Sequence, residues 1–298
     1  MKTNTIVKLK LDTIFKRVFG DPRKKHITAA FLADVFEIPK SRIKDILFEN
    51  VELPVEYVNQ KFSRLDVKLT VDDKIIDIEI QIWHDTDYAA RSLFYWSKLY
   101  SDQLKAGQEY NELKKTICIN ILGYDLFACK EYASHFQVLE SSRYELLTDK
   151  FGIYFFELQK VASAAKSKRI EDWLNVINAE TEDELMAIQE KSQISEVREV
   201  AATVRELSAD EKVRQEAFYR EKQLRDQASA LKAAEAIGMQ KGMQKGMQKG
   251  MQKGRIIERC ATIRNMLQRG KSVEEISDAL GLSVPEINEL LAMEVDDE

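Results

Sequence analysis

Two acidic residues, Asp66 and Glu79, are predicted to face each other across a β-hairpin. Apolar and polar residues alternate on both sides of Asp72-Asp73, and this period of two is typical of strands joined by a tight turn. With Asp72 and Asp73 as the loop, Asp66 pairs with Glu79, and the apolar pairs Leu65–Ile80, Val67–Ile78 and Leu69–Ile76 share one face. A slip by one residue would mix the two faces, so this register is favoured.

The proximity of these two carboxylates indicates a metal site. Directly opposed side chains in an antiparallel pair have Cβ atoms about 4.5–5.5 Å apart. Two negative charges at that distance repel each other unless a positive group lies between them. Mg²⁺ takes oxygen ligands, typically one or two carboxylates with waters and a phosphate, and it can activate water for attack on a phosphoryl group.

A second interpretation of the hairpin needs no site. Antiparallel sheets often keep one face in water, and polar side chains then alternate outwards. Asp77 opposite Lys68 is an ordinary cross-strand ion pair in either interpretation. The pairing of two acids, rather than of an acid with a base, favours the site.

The hairpin belongs to a predicted α/β sandwich of about 160 residues, in which helices precede and follow the hairpin and strands come last. Helical spacing of apolar residues predicts helices over residues 9–19, 26–37 and 87–106. Short apolar runs predict further strands over residues 116–122, 135–140 and 152–158.

The C-terminal region is predicted to be largely helical and partly coiled-coil-like, because Ala, Glu, Lys, Arg and Gln dominate it. It contains the repeat GMQKGMQKGMQKGMQKG, in which each glycine costs about 1 kcal/mol of helix stability relative to alanine. The repeat is therefore a marginal helix or a hinge, tolerated as a linker or used for close helix packing along the glycines. The predicted domains are 1–162 (sandwich), 163–237 (helical), 238–254 (repeat linker) and 255–298 (small helical module).

Residues 272–291 have the pattern of a helix-turn-helix, with capping boxes at Ser272–Glu275 and Ser283–Glu286. A DNA-reading second helix should present basic or amide side chains. This one presents acids and no Lys or Arg. We therefore favour a protein-interaction or dimerisation module over a DNA reader.

Bulk composition narrows the classes of function. The formal net charge is −5, but residues 1–50 contain 11 Lys or Arg against 6 Asp or Glu, so a basic front face can meet phosphates. No apolar run reaches the roughly 18 residues of a membrane span. The three cysteines are scattered, without metal spacing, which fits a reducing cytosol. We expect a cytoplasmic protein with no membrane partner.

The hairpin and its surroundings resemble the Rpn family of recombination-promoting nucleases and transposases, in the PD-(D/E)xK nuclease superfamily. The resemblance rests on LDTIFKRVFGD near the start, on Asp66 with EIQ at 79–81, and on the helix and strand sequences RSLFYWSKLYSDQLKAGQEY and KTICINIL. It covers roughly residues 8–160. It implies a restriction-endonuclease-like mixed sheet flanked by helices.

The resemblance also implies an activity, that of a Mg²⁺-dependent DNA endonuclease in recombination or in the processing of mobile-element or phage DNA. Asp66, Glu79 and the carbonyl of Ile80 would be metal ligands. Asp12 on the first helix is a further candidate ligand, the alternative being a solvated acid in a first helical turn. A homodimer is expected because cutting both strands is simplest with two sites. In this family the C-terminal region can also be made separately and restrain the nuclease.

Gln81 departs from the superfamily, which has lysine at this position. A lysine supplies positive charge, whereas glutamine only orients water or phosphate by hydrogen bonds. Lys68 on the same face is assigned a catalytic role with Gln81, and Arg91 or Lys98 on the next helix could supply the cation instead. The alternative is a catalytically silent DNA- or protein-binding member of the same fold.

Overall fold

The computed structural model describes residues 6–49, 66–163 and 169–292 of the chain. They form a six-stranded mixed sheet flanked by helices, followed by a largely helical C-terminal region. The predicted fold class is confirmed. No helix within these ranges combines the length and the apolar character needed to cross a membrane.

The sheet has its long strands at the centre. Its strands are β1 (Ile46–Phe48), β2 (Val67–Val71), β3 (Lys74–Gln81), β4 (Thr116–Leu122), β5 (Ala133–Phe136) and β6 (Phe151–Glu157). Their order across the sheet is β1-β2-β3-β4-β6-β5. Neighbours are antiparallel except that β4 runs parallel to both β3 and β6.

The helices confirm the predicted order of elements, although some bounds differ. They are α1 (Asp12–Phe19), α2 (Lys25–Val35), α3 (Tyr88–Ser101), α4 (Arg169–Asn178), α5 (Glu182–Lys191), α6 (Ser195–Ala209), α7 (Glu211–Gln268), α8 (Val273–Leu280) and α9 (Val284–Ala292). The helix predicted to reach residue 106 ends at Ser101. Just beyond it the Gln103 amide accepts a hydrogen bond from Lys114 N and donates one to Thr116 Oγ1, which ties the chain to the start of β4.

The predicted hairpin register is confirmed, because Val67 pairs with Ile78 and Lys68 with Asp77. Asp72 occupies the turn with a φ of 52°, a conformation that short polar residues tolerate. Its carboxylate accepts hydrogen bonds from two backbone N–H groups that precede β1. The predicted partners at positions 64 and 65 lie outside the described residues.

Both faces of β3 are buried. On one face Ile76 and Ile78 are fully buried in the large core formed with α1, α2, α4 and α6. On the other face α3 packs on β4 and β6 around Tyr88, Cys118 and Phe155. The interpretation of the hairpin's polar face as a surface in water is therefore wrong for β3, since Asp77 and Glu79 lie under this second layer.

The chain divides into two compact units, residues 1–226 and 227–298. In the first, α4–α6 share the large core with the sheet. In the second, both predicted capping boxes are present and the core is formed by Ile263, Ile276 and Ile287. The repeat at 238–254 takes the helical alternative, inside α7. The four-part division predicted from the sequence stays a prediction.

We expect Ile78→Ala to lower the free energy of unfolding by about 2–5 kcal/mol, because it opens a cavity in a core that cannot fully collapse. Ile75→Ala on the same strand is the matched control, since Ile75 points to the opposite face and is only half-buried. Urea unfolding followed by circular dichroism measures both. Equal losses would contradict the assignment of the two faces.

Candidate active site

Asp66 and Glu79 are in contact at the open end of the hairpin. The backbone N–H of Asp66 donates to Glu79 Oε1 at 2.9 Å, and the N–H of Ile80 donates to Asp66 Oδ2 at 2.9 Å. Both residues are buried, with 8% of Asp66 and 6% of Glu79 exposed. The structure therefore brings together the two acids that the sequence pattern placed opposite each other.

Asp77 adds a third carboxyl group to this cluster, and sequence reasoning had left it outside the site. It is fully buried, its Oδ1 has no hydrogen-bond partner, and its Oδ2 lies 3.9 Å from the Cys118 thiol. Burial raises the pKa of Asp77 and of Glu79 well above the usual range, and repulsion from neighbouring carboxylates raises each further. Each charge makes the others more costly, so the cluster attracts protons or cations.

The pKa of Asp66 is raised less strongly. Burial raises it, whereas the hydrogen bond from Ile80 N–H and the ammonium group of Lys16 lower it in part. Lys16 Nζ lies 3.3 Å from Asp66 Oδ1. Lys16 is a functional candidate that sequence reasoning missed, although its signal was present: it follows Asp12 by four residues on α1, so the two share one helical face.

Asp12 lies near this cluster but already has a partner. Its charge raises the pKa of Asp66, which places the two carboxylates within electrostatic reach. Arg220 of α7 holds both oxygens of Asp12, with Nε–Oδ1 and Nη2–Oδ2 distances of 2.8 Å. Such a two-pronged ion pair is strong and specific in geometry. A metal at Asp12 would have to share this carboxylate with Arg220.

The predicted ion pair between Lys68 and Asp77 is wrong. Lys68 Nζ lies 2.6 Å from Glu49 Oε2, just after β1, although the backbones of Lys68 and Asp77 are paired. The reason is hydration. The Lys68 ammonium group stays in contact with water at a half-exposed position, whereas pairing with the fully buried Asp77 would require its removal from water. The charge of Lys68 still lowers the pKa of Asp77 at longer range.

Gln81 ends β3 with its amide held on both sides. Its Nε2 donates to the carbonyl of Trp83 at 3.2 Å, and its Oε1 accepts from Arg91 Nη2 at 3.3 Å. Arg91 also binds Asp85 at 2.9 Å and stacks over the Tyr88 ring at 4.5 Å. Of the two cations considered on α3, the structure therefore brings Arg91 to Gln81.

Lys98, the other cation considered on α3, lies 2.7 Å from Asp102 at the end of that helix. The geometry of the helix explains the difference. Arg91 is in the first turn, close to the end of β3, whereas Lys98 is in the last turn.

The donor set suits a hard divalent cation. Asp66 and Glu79 offer carboxylate oxygens, Ile80 offers a backbone carbonyl, and Asp77 Oδ1 has no hydrogen-bond partner among the described residues. In the described ranges no group of three or more His, Cys, Asp or Glu side chains is arranged to hold a metal ion. Mg²⁺ needs no such cage, because it usually keeps several waters and takes one or two carboxylates with a substrate phosphate.

Comparison with known proteins gives one family. The family model described as PD-(D/E)XK nuclease family transposase matches residues 9–234, which is more than half of the chain. The match includes the hairpin, α3 and the start of α7, and it ends before the glycine repeat. No curated protein and no solved structure matches the chain.

We expect Asp77→Asn to remove the contribution of Asp77 to the pH dependence of stability. An acid with a raised folded pKa contributes stability at low pH that is lost as pH rises from about 4, its ordinary value, through the folded pKa. The variant lacks that loss, so at pH 8 it should be more stable than wild type by about 1–3 kcal/mol, the cost of a buried unpaired polar group. Near pH 4 the advantage should vanish.

Urea unfolding in EDTA across this pH range measures the effect, and Asp73→Asn in the exposed turn is the control. A constant difference between Asp77→Asn and wild type at all pH values would mean that Asp77 does not titrate as proposed.

Proposed function

Because this chain belongs to the PD-(D/E)XK nuclease family transposases, we propose that it is a divalent-metal-dependent DNA endonuclease that hydrolyses phosphodiester bonds. The observation that carries the proposal is the contact between Asp66 and Glu79. The two acids are buried side by side at the open end of the hairpin, and the pKa of each is raised. A bound cation would lower the free-energy cost of their negative charges. Carboxylates held together at such a cost are typical of functional sites.

In this proposal Asp66, Glu79 and the Ile80 carbonyl would hold Mg²⁺, and Asp12 could join them on release from Arg220. The bound cation would supply Lewis-acid activation of water and charge stabilisation at the phosphate. The backbone hydrogen bonds to Asp66 Oδ2 and Glu79 Oε1 orient the two carboxylates before any ligand arrives. The remaining oxygens would bind the metal: Glu79 Oε2, and Asp66 Oδ1, which already lies 3.3 Å from Lys16 Nζ.

The positive charge that a lysine would supply at position 81 comes, in this proposal, from Arg91. Gln81 orients water or a phosphate oxygen through its amide, while the Arg91 guanidinium adjoining it contacts the phosphate. A planar guanidinium can bind two phosphate oxygens at once. Lys16 beside Asp66 and Lys68 on the hairpin add charge at the rim, where both are half-exposed.

Several finer proposals accompany the activity. We place the protein in the cytosol, as a homodimer acting in recombination or in mobile-element or phage DNA processing, with a separately made C-terminal fragment as a candidate regulator. The rival function is a catalytically silent DNA- or protein-binding member. Gln81 at the lysine position and the ion pair of Lys16 with Asp66 are the observations that favour it.

We expect Asp66→Asn and Glu79→Gln each to reduce Mg²⁺-dependent cleavage of supercoiled plasmid by at least about 100-fold, as loss of a key electrostatic group does in enzymes. Both variants keep the shape of the side chain. Asp73→Asn, on the same hairpin but exposed, should cleave like wild type. Equal cleavage by all four proteins rejects the site, and no cleavage by wild type with Mg²⁺ or Mn²⁺ favours the silent rival.

We expect Arg91→Ala to lower cleavage by about 10–100-fold, in the range of groups that support a metal site. Gln81→Lys in the Arg91→Ala background should restore much of the loss, because it returns a cation to the superfamily's position. Lys98→Ala on the same helix is the control, and thermal unfolding of each variant checks the fold. If Gln81→Lys gives no rescue while the proteins remain folded, Arg91 acts only through its contacts with Asp85 and Tyr88.

A further inference from the structure

The second half of α7 is strongly basic. Residues 236–271 contain nine Lys or Arg and a single acid, Glu258, within a chain whose formal net charge is −5. From 236 to 257 there are five cations and no acid at all. This segment lies entirely beyond the residues that match the family model.

The lysines of the repeat form a continuous stripe. Lys241, Lys245, Lys249 and Lys253 recur every four residues in an unbroken helix, and every residue from 238 to 254 is exposed. Each step of four residues advances about 6 Å and turns about 40° past a full circle. The four ammonium groups therefore follow a shallow spiral about 18 Å long that stays on one side of the helix.

The glycines widen access to this stripe. Each glycine lies three residues before a lysine, about 60° away on the helix surface, whereas each methionine lies about 160° away. A Cβ placed on any of the five repeat glycines would meet no neighbouring atom within 4 Å. The glycines thus leave bare backbone beside the lysines, on a face against which the described chain packs nothing.

The stripe lacks compensating charge. No carboxylate of the described residues forms an ion pair with any of the four lysines, whereas Lys271 further along is paired with Glu275. Like charges four residues apart destabilise a helix, and glycine weakens it further. A polyanion lying along the stripe would remove the repulsion between the lysines. Binding of such a ligand would therefore stabilise the helix over residues 238–254.

We propose that the lysine stripe of α7, extended by Arg264, binds the phosphate backbone of double-stranded DNA without reading its sequence. DNA carries one negative charge per about 1.7 Å of axis, so an 18 Å stripe meets enough phosphates for every lysine. Lysine is a point charge suited to phosphates rather than to base edges. This second DNA-contacting surface goes beyond the proposed cleavage and does not require it.

Charge complementarity favours DNA over a second copy of the chain. The acidic residues of α8 and α9 could also attract lysines, but two of them already bind neighbouring groups on their own helices. Glu275 caps α8 and pairs with Lys271, and Glu286 caps α9 at Ser283. A discrete acidic patch also fits an extended, evenly spaced stripe less well than a polyanion does.

A lipid surface fits less well than DNA for a different reason. An interfacial helix buries an apolar face with aromatic or leucine side chains. The repeat offers only Met239, Met243, Met247 and Met251, separated by glycine, glutamine and lysine.

The test uses the full-length protein and a labelled random-sequence duplex of about 30 base pairs, in EDTA so that no cleavage occurs. Changing all four repeat lysines to glutamine keeps helix propensity and removes four charges. We expect at least tenfold weaker binding at low salt, and a log–log salt slope smaller by up to about 3.6. The matching Lys→Arg variant should bind like wild type.

Two further measurements locate the contact. Hydrogen exchange in residues 238–254 should slow on addition of the duplex, and changing the four repeat methionines to glutamine should leave DNA affinity unchanged. The proposal is overturned if the glutamine-for-lysine variant binds as tightly as wild type with the same salt slope. It is also overturned if that variant instead loses self-association in light scattering, or loses binding to phosphatidylserine vesicles, while keeping its DNA affinity.

The two proposals can fail separately. If Asp66→Asn abolishes plasmid cleavage but still binds the duplex, both proposals are supported. A wild-type protein that cannot cleave, but whose duplex binding depends on the four repeat lysines, would keep only the α7 surface.

Discussion

The structure has to keep three carboxyl groups, those of Asp66, Asp77 and Glu79, on a sheet face that another layer covers. Removing charge from water is expensive, and like charges nearby increase the cost. The apolar face of the same two strands is what makes this tolerable, because fully buried isoleucines on β3 pack into the large core and hold the strands in register. The strand is thus stabilised through one face and destabilised through the other, which is the arrangement expected of a site rather than of a structural strand.

The surrounding elements offset part of the cost of burying these charges. Helix α1 brings Lys16 to Asp66, and the first turn of α3 brings Arg91 to Gln81. Backbone N–H groups of the hairpin satisfy one oxygen of Asp66 and one of Glu79. Asp77 alone receives no such compensation at Oδ1. The positive groups lie at the rim of the cluster, and the three carboxyl groups lie at its centre.

Much of this arrangement can be predicted from the sequence, because a period-two hairpin has only one register that keeps its apolar residues together. That register places Asp66 beside Glu79 without any knowledge of the tertiary structure. Lys16 could have been found from its helical spacing to Asp12. Arg220 could not, since it meets Asp12 from more than 200 residues away. The Lys68–Glu49 contact and the burial of Asp77 likewise depend on which strand and which helix pack alongside, and local pattern carries no information on either.

The two electrostatic problems in this chain have opposite signs. At the hairpin, three acids are buried close together; along α7, four exposed lysines form no ion pair with any carboxylate of the described residues. A protein that met only small anions would need a pocket around its lysines, and one that only stored metal would need more carboxylates than the hairpin offers. In the two proposals DNA answers each separately, since its phosphates would neutralise the lysines and a divalent cation bound for its cleavage would neutralise the acids. The lysine stripe holds a polyanion by charge alone, so selectivity for a particular sequence would have to come from elsewhere, and the acidic α9 does not provide it.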